Sequence, residues 1–378
     1  MKSRTLLLLA VATLAVLGLA LGYLLRESRT ANRPTVNPTP LAGAKPVPDL
    51  TAGSVAPPVS DPAQAASGSL LAASLDRLLA QSGTVTDADL AALKNALLAG
   101  DPRRGIADIR EFLRTGRDAK TSQEFTLAPG GGGLSGAPTL RLMLLDVLGQ
   151  LARKIRSDAA AQVGRDILES KDSPDEWALA LRNVAWAEPQ SRGYLAGKMR
   201  EMLSYEPWRS APSDGMLEAL DVIVFTRDAS LIPDLADARP TNRELGHAVD
   251  IALDRLAEAA PLDVLTYLNT HPAILNERPM VRADYFAKAD LSQPAQRVQV
   301  EIYLGRPDIS LGEKDKLLRA LTTPASFVSD TLLTEPTPAD DGSGRRATLA
   351  QTTRDWLAGD RFPTLRAPLL EIQDRLSR

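Results

Sequence analysis

The chain carries two imidazoles and no thiol. His247 and His271 are 24 residues apart, so neither H-x-x-x-H nor H-E-x-x-H occurs, and each reads as a surface or core side chain. The lack of cysteine excludes disulfides, thiolate-bound zinc, iron–sulfur clusters and thiol nucleophiles, and leaves the redox compartment open. A serine nucleophile in G-x-S-x-G fails at Ser135, which has Gly133 two before it but Ala137 two after. No lysine has a serine three residues before it, so the Ser-x-x-Lys pair of penicillin-binding enzymes is missing too. Pro129 and the run Gly130 to Gly133 lead into Leu134-Ser135-Gly136 rather than Gly-Lys-Ser/Thr, so they predict a loop and not a phosphate cradle. Asp340-Asp341-Gly342 lacks the alternating oxygen ligands of a calcium loop. The 47 carboxylates offer many acid–base pairs, but spacing singles out none. The expectation is therefore no cofactor, no metal, no small-molecule ligand and no intrinsic catalysis. The rival is an envelope hydrolase whose site is assembled from unmarked carboxylates.

Where chemistry is absent, binding is the next question. Tyr205-Glu206-Pro207-Trp208-Arg209 falls between two helical stretches. Tyr205, Trp208 and Arg209 are the residue types enriched at interface hot spots, and they are the candidate protein-contact residues. The competing reading packs them on the following helices. Trp177 and Trp186, nine residues apart, do not share a helical stripe and read as core aromatics.

The elements that would position such a surface begin at the N-terminus. Leu6 to Leu25 is twenty residues without a charge. As a helix at ~1.5 Å per residue it is about 30 Å long, the thickness of a bilayer core. It follows Lys2 and Arg4, the basic start that signals and anchors share. Ala20-Leu21-Gly22 resembles a cleavage site, but the run is longer than a signal needs, so residues 1–25 are read as an uncleaved signal-anchor that contacts the membrane through 6–25. Arg26, Arg29 and Arg33 oppose Lys2 and Arg4 in the positive-inside balance, so the size of the downstream body sets the orientation. The expected location is a bacterial inner membrane, single-pass, with the body in the periplasm.

Residues 26–68 hold eight prolines and few apolar side chains, which predicts a disordered linker. Fully extended at ~3.1 Å per residue it reaches on the order of 130 Å. Residues 1–68 have six Lys/Arg against three Asp/Glu, and the remainder 38 against 44, so the body is mildly acidic (−6) and does not suit nucleic acid.

From residue 69 the pattern is helical almost throughout. Residues 69–116 form a small unit with starts marked by Thr86 and by Asp101-Pro102. Residues 117–138 read as a flexible Gly-rich loop. Residues 139–334 read as helical pairs beginning near 139, 174, 213 and 242, with capping signals at Ser173-Pro174-Asp175-Glu176, Thr241-Asn242-Arg243-Glu244 and Ser310-Leu311-Gly312-Glu313. One helix is expected over 213–226, and 271–291 is less regular. Residues 335–347 form a second flexible break. Residues 348–378 end in a helix with Leu369, Leu370, Ile372 and Leu376, which either caps the array or docks on a partner.

Pair starts 29 to 39 residues apart suggest an α-solenoid. Met216 to Ile223, followed by Leu231-Ile232-Pro233-Asp234-Leu235, resembles a HEAT repeat, best over 216–235 and in outline over 139–270. The resemblance implies a protein-binding scaffold. The fold class expected is all-α: a transmembrane helix, a Pro-rich linker and a solenoid-like array of helical hairpins. The function expected is that of a membrane-tethered scaffold or adaptor for a protein partner in the cell envelope. A passive structural subunit of an envelope complex is a further alternative.

Overall fold

The computed structural model describes residues 72–80, 84–323, 331–334 and 343–377. The apolar run 6–25, the linker 26–68 and residues 335–342 of the second break lie outside the described residues. Among the described residues no helix is long and apolar enough to cross a membrane.

The described residues are all-α apart from one small hairpin. Helix α1 covers 72–80, α2 Asp87–Ala99 and α3 Pro102–Arg114. Then come α4 Leu140–Ile155, α5 Ala159–Ile167, α6 Pro174–Ala187, α7 Arg192–Ser204 and α8 Glu206–Ser210. They are followed by α9 Asp214–Ala219, α10 Asp221–Thr226, α11 Ile232–Ala238, α12 Arg243–Ala259 and α13 Pro261–Thr270. Next are α14 Pro279–Phe286, inside the stretch that reads as irregular, α15 Pro294–Gly305 and α16 Leu311–Thr322. The last two are α17 Ser343–Ala358 and α18 Arg366–Ser377.

Helix starts fall where local chemistry puts them. The side-chain oxygens of Thr86, Asp101, Ser173 and Ser310 each accept a backbone N–H from the first turn. Pro102 and Pro174 take first-turn positions, where no N–H is needed. In the box at 241–244 the cap is Asn242, whose Oδ1 accepts from the N–H groups of Glu244 and Leu245.

Two expectations are corrected. The stretch 213–226 is two short helices, because at Leu220 the backbone switches to i→i−3 bonds, Leu220 N–H to Leu217 and Ile223 N–H to Leu220. The Gly-rich stretch 117–138 is not a flexible loop. It carries a two-stranded antiparallel hairpin, β1 Thr126–Leu127 and β2 Leu134–Gly136, whose turn uses positive φ at Gly130, Gly131 and Gly132. Its order comes from cations donated by other helices. Lys94 Nζ donates to the Leu134 carbonyl at 2.6 Å and Arg182 Nη1 to the Gly132 carbonyl at 3.0 Å.

From α4 onward, helices separated by one to three others in the chain pack on one another in two series. In one series α4 meets α6, α6 meets α9, α10 meets α12, α12 meets α14, α14 meets α16 and α16 meets α18. In the other, α7 meets α11 and α13 meets α15. Sequence neighbours also touch, α5 on α6 and α12 on α13. A single apolar core runs from Leu75 in α1 to Ile372 in α18. The α4–α6 approach requires Gly149, where a Cβ would lie 2.1 Å from Asn183 Oδ1.

Candidate interaction site

Trp208 is buried. Helix α8 turns it into the core, edge-on to Trp177 at 5.3 Å and to Tyr205 at 5.1 Å between ring centroids. Tyr205 is half-buried under the Lys171 amine, 4.9 Å from the ring centroid. Arg209 Nη2 donates to the Asp237 carbonyl at 2.8 Å and to Thr241 Oγ1 at 2.9 Å. The structure brings the three predicted contact residues together, but uses them to join α8 to α6 and α11. Trp177 is likewise core, its indole donating to the Ser170 carbonyl at 2.5 Å. Trp186 is half-buried, with the Arg182 and Arg153 guanidinium groups 4.3 and 5.0 Å from its ring centroid. His271 is exposed and stacks on Tyr267 at 4.1 Å.

Buried charge is the feature that spacing rules did not isolate. Asp146 on α4 and Arg182 on α6 are both fully buried and bonded at 2.7 Å. Lys94 and the Gln150 amide complete the shell of Asp146, and Asn183 Oδ1 accepts from Arg182. Burial pulls the Arg182 guanidinium down from its ordinary value, against the pull of Asp146. Asp221 on α10 meets Arg255 on α12 at 2.7 Å. Asp254 on α12 accepts from Lys288, just past α14, at 2.8 Å. Burial raises the Asp254 carboxyl, and Lys288 opposes that. Arg282 on α14 grips Glu313 on α16 with two bonds, at 2.8 and 3.1 Å. The Tyr303 hydroxyl also donates to Glu313, and burial together with that bond pushes the phenol well above its ordinary value.

The partners in these four pairs are 36, 34, 34 and 31 residues apart. That falls within the spacing of the helical pairs read from the sequence, but 47 acids and 44 bases give many other pairs at the same period. Each joins one member of the first series to the following member or to a residue just past it. Chemically, a buried carboxylate bonded to a guanidinium or amine fixes the geometry of the elements that carry the two groups.

Asp221 differs from the other three because a distant stretch of backbone lies on it. It accepts the N–H groups of Leu333 at 2.8 Å and Thr334 at 2.7 Å, and the Thr334 hydroxyl at 2.5 Å. Arg255 Nη2 also donates to that hydroxyl. At the other end the Thr331 carbonyl accepts from Gly132 N–H at 3.0 Å. Gly131 sits under the same carbonyl, at φ +76°, where a Cβ would come within 2.5 Å of the oxygen. Between these ends Leu332 is fully buried. The segment Thr331–Thr334 thus spans from the hairpin turn to the α10–α12 junction.

Asp221 and Arg255 also line an adjoining cleft of about 620 Å³ with Leu217, His247 and Ile251. His247 is exposed on its rim. Among the described residues no group of three or more His, Asp or Glu is placed to hold a metal ion. What the arrangement can do is hold a turn of backbone: a carboxylate facing successive N–H groups, a guanidinium beside it, and an apolar seat for one leucine. Compared with protein-family models, with curated proteins and with solved structures, the chain finds no match.

Proposed function

We propose that this protein is a membrane-tethered scaffold that binds another protein in the cell envelope. In this reading residues 6–25 anchor the chain in a bacterial inner membrane. Residues 26–68 act as a spacer, and the helical body stacks as an α-solenoid of HEAT-like hairpins on the periplasmic side. One observation carries the reading: the helices of the body pack in two series along the chain, and a bent segment, Thr331–Thr334, is seated across the α10–α12 contact at Asp221. Stacked helical pairs present long continuous faces suited to protein ligands. The buried carboxylates support the same reading, since the four described above are committed to ion pairs between helices.

Crosslinking and affinity purification of the full chain from its own membranes tests this. The expected result is a partner recovered reproducibly in molar ratio to the chain. Repeated recovery of the chain alone would overturn the scaffold reading. Orientation is tested by a reporter fused after Arg378, and activity of a reporter that works only in the cytoplasm would reverse the topology.

A further inference from the structure

We infer that Thr331–Thr334, bent at Leu332 and Leu333 with the Thr331 hydroxyl donating to the Thr334 carbonyl, occupies in cis a binding site for a short peptide turn, and that a partner segment of the same chemistry takes its place. That chemistry is a Leu-Leu pair flanked by threonines, with the consecutive backbone N–H groups of Leu333 and Thr334 turned to one carboxylate. The inference rests on the scaffold reading and names what its partner presents.

The contacts themselves argue for recognition of main chain. Asp221 takes the N–H groups of two successive residues, 112 and 113 positions away in the chain. Any non-proline residue supplies an N–H, so this part of the site reads conformation rather than side chains. The Thr331 carbonyl on the Gly132 N–H fixes the opposite end, and glycine at 131 leaves the carbonyl room to approach. Side-chain selection comes from two places. One is the buried seat of Leu332, and the other is the Thr334 hydroxyl between Asp221 and Arg255. The segment following the strap, Glu335-Pro336-Thr337-Pro338-Ala339-Asp340-Asp341-Gly342, has no large apolar side chain.

The site carries its own occupant at the high effective concentration of an intramolecular ligand. A partner peptide therefore competes with the strap, and occupancy of the adjoining cleft lined by Leu217, His247 and Ile251 would give it contacts that the four-residue strap lacks.

The test uses a fluorescent synthetic peptide with the sequence of residues 329–336, Ser-Asp-Thr-Leu-Leu-Thr-Glu-Pro, titrated against the full chain in detergent and read by anisotropy. In the double variant Leu332→Asp/Thr334→Ala the strap is released. The expected result is peptide binding at least tenfold tighter to this variant than to the wild type, and loss of that binding when Asp221→Asn is added. If the released variant keeps its helical circular dichroism yet binds the peptide no better than the wild type, the inference fails. It also fails if Asp221→Asn leaves peptide binding intact. Should the double variant lose its helical signal, Thr334→Ala alone replaces it under the same two outcomes. Peptide binding without any envelope partner would leave this site standing and remove the scaffold reading. Partner capture by a released variant that ignores the peptide would do the reverse.

Discussion

Arg182 is a guanidinium with no water to go to. Its donors are satisfied by Asp146, by the Gly132 carbonyl and by Asn183 Oδ1, and Trp186 covers one face. Removing one charge of such a pair costs more than the pair contributes, because the partner is left ionised in the core. Asp146→Ala is therefore expected to lower unfolding stability by about 3–5 kcal/mol, read from urea denaturation. A loss below about 1 kcal/mol would mean that Arg182 finds another counter-ion. Asp250, partly exposed on α12, gives a pH prediction. Burial acts to raise its carboxyl, but bonds from Arg239 and Arg278 win and hold it below its ordinary value of 3.8. The unfolded chain then takes up the proton first as pH falls. The contribution is full above 3.8 and is lost as pH falls through the folded value. Asp254, one turn along, is shifted upward and works in the opposite sense, losing stability as pH rises from 3.8 through its folded value. Comparing Asp250→Asn with wild type isolates the first effect: the variant should be less stable at pH 6 and show a flatter decline below pH 4 in thermal melts. Residue-scale legibility was poor for these groups. The sequence shows 47 carboxylates, and which of them meets a cation depends on helix packing that no local pattern reports.

Single elements were easier to read than their residues' partners. The caps at Thr86, Asp101, Ser173 and Ser310, and the first-turn prolines after two of them, are short-range chemistry and sit where the pattern puts them. Ser173→Ala should cost about 1 kcal/mol, since it leaves the Glu176 N–H without its side-chain acceptor. Gly149→Ala should cost more than the cap, despite better helix propensity, because the new methyl meets Asn183 across the α4–α6 contact. Denaturation of the two variants side by side checks the order. The hairpin 126–136 escaped a periodicity argument for a clear reason. Its strands are two and three residues long, and the groups that order it, Lys94, Arg182 and Thr331, are all distant in sequence. The aromatic stretch at 205–209 reads two ways for a related reason. Residue types enriched at interfaces are also those that fill gaps between helices, and α8 delivers Trp208 to Trp177.

At the scale of the whole molecule, all-α architecture was legible because it follows from periodicity summed over many segments, where single errors cancel. The order in which helices meet was legible only as a period. If the anchor reading holds, high salt and alkaline washing should leave the full chain in the membrane pellet, while a chain lacking residues 1–25 should move to the supernatant. Release of the full chain by salt alone would point to a surface association instead.

The four buried ion pairs also have a direction. In the first three the acid lies earlier in the chain and the base later: Asp146 to Arg182, Asp221 to Arg255, Asp254 to Lys288. In the fourth the sense is inverted, Arg282 to Glu313. A collapsed chain that skipped α14 and laid α16 on α12 would set Glu313 toward Asp254 and Asp250, acid against acid. A chain that kept the order would neutralise these four junctions. The inverted sign at the fourth pair thus disfavours a chain folded without α14 in its place.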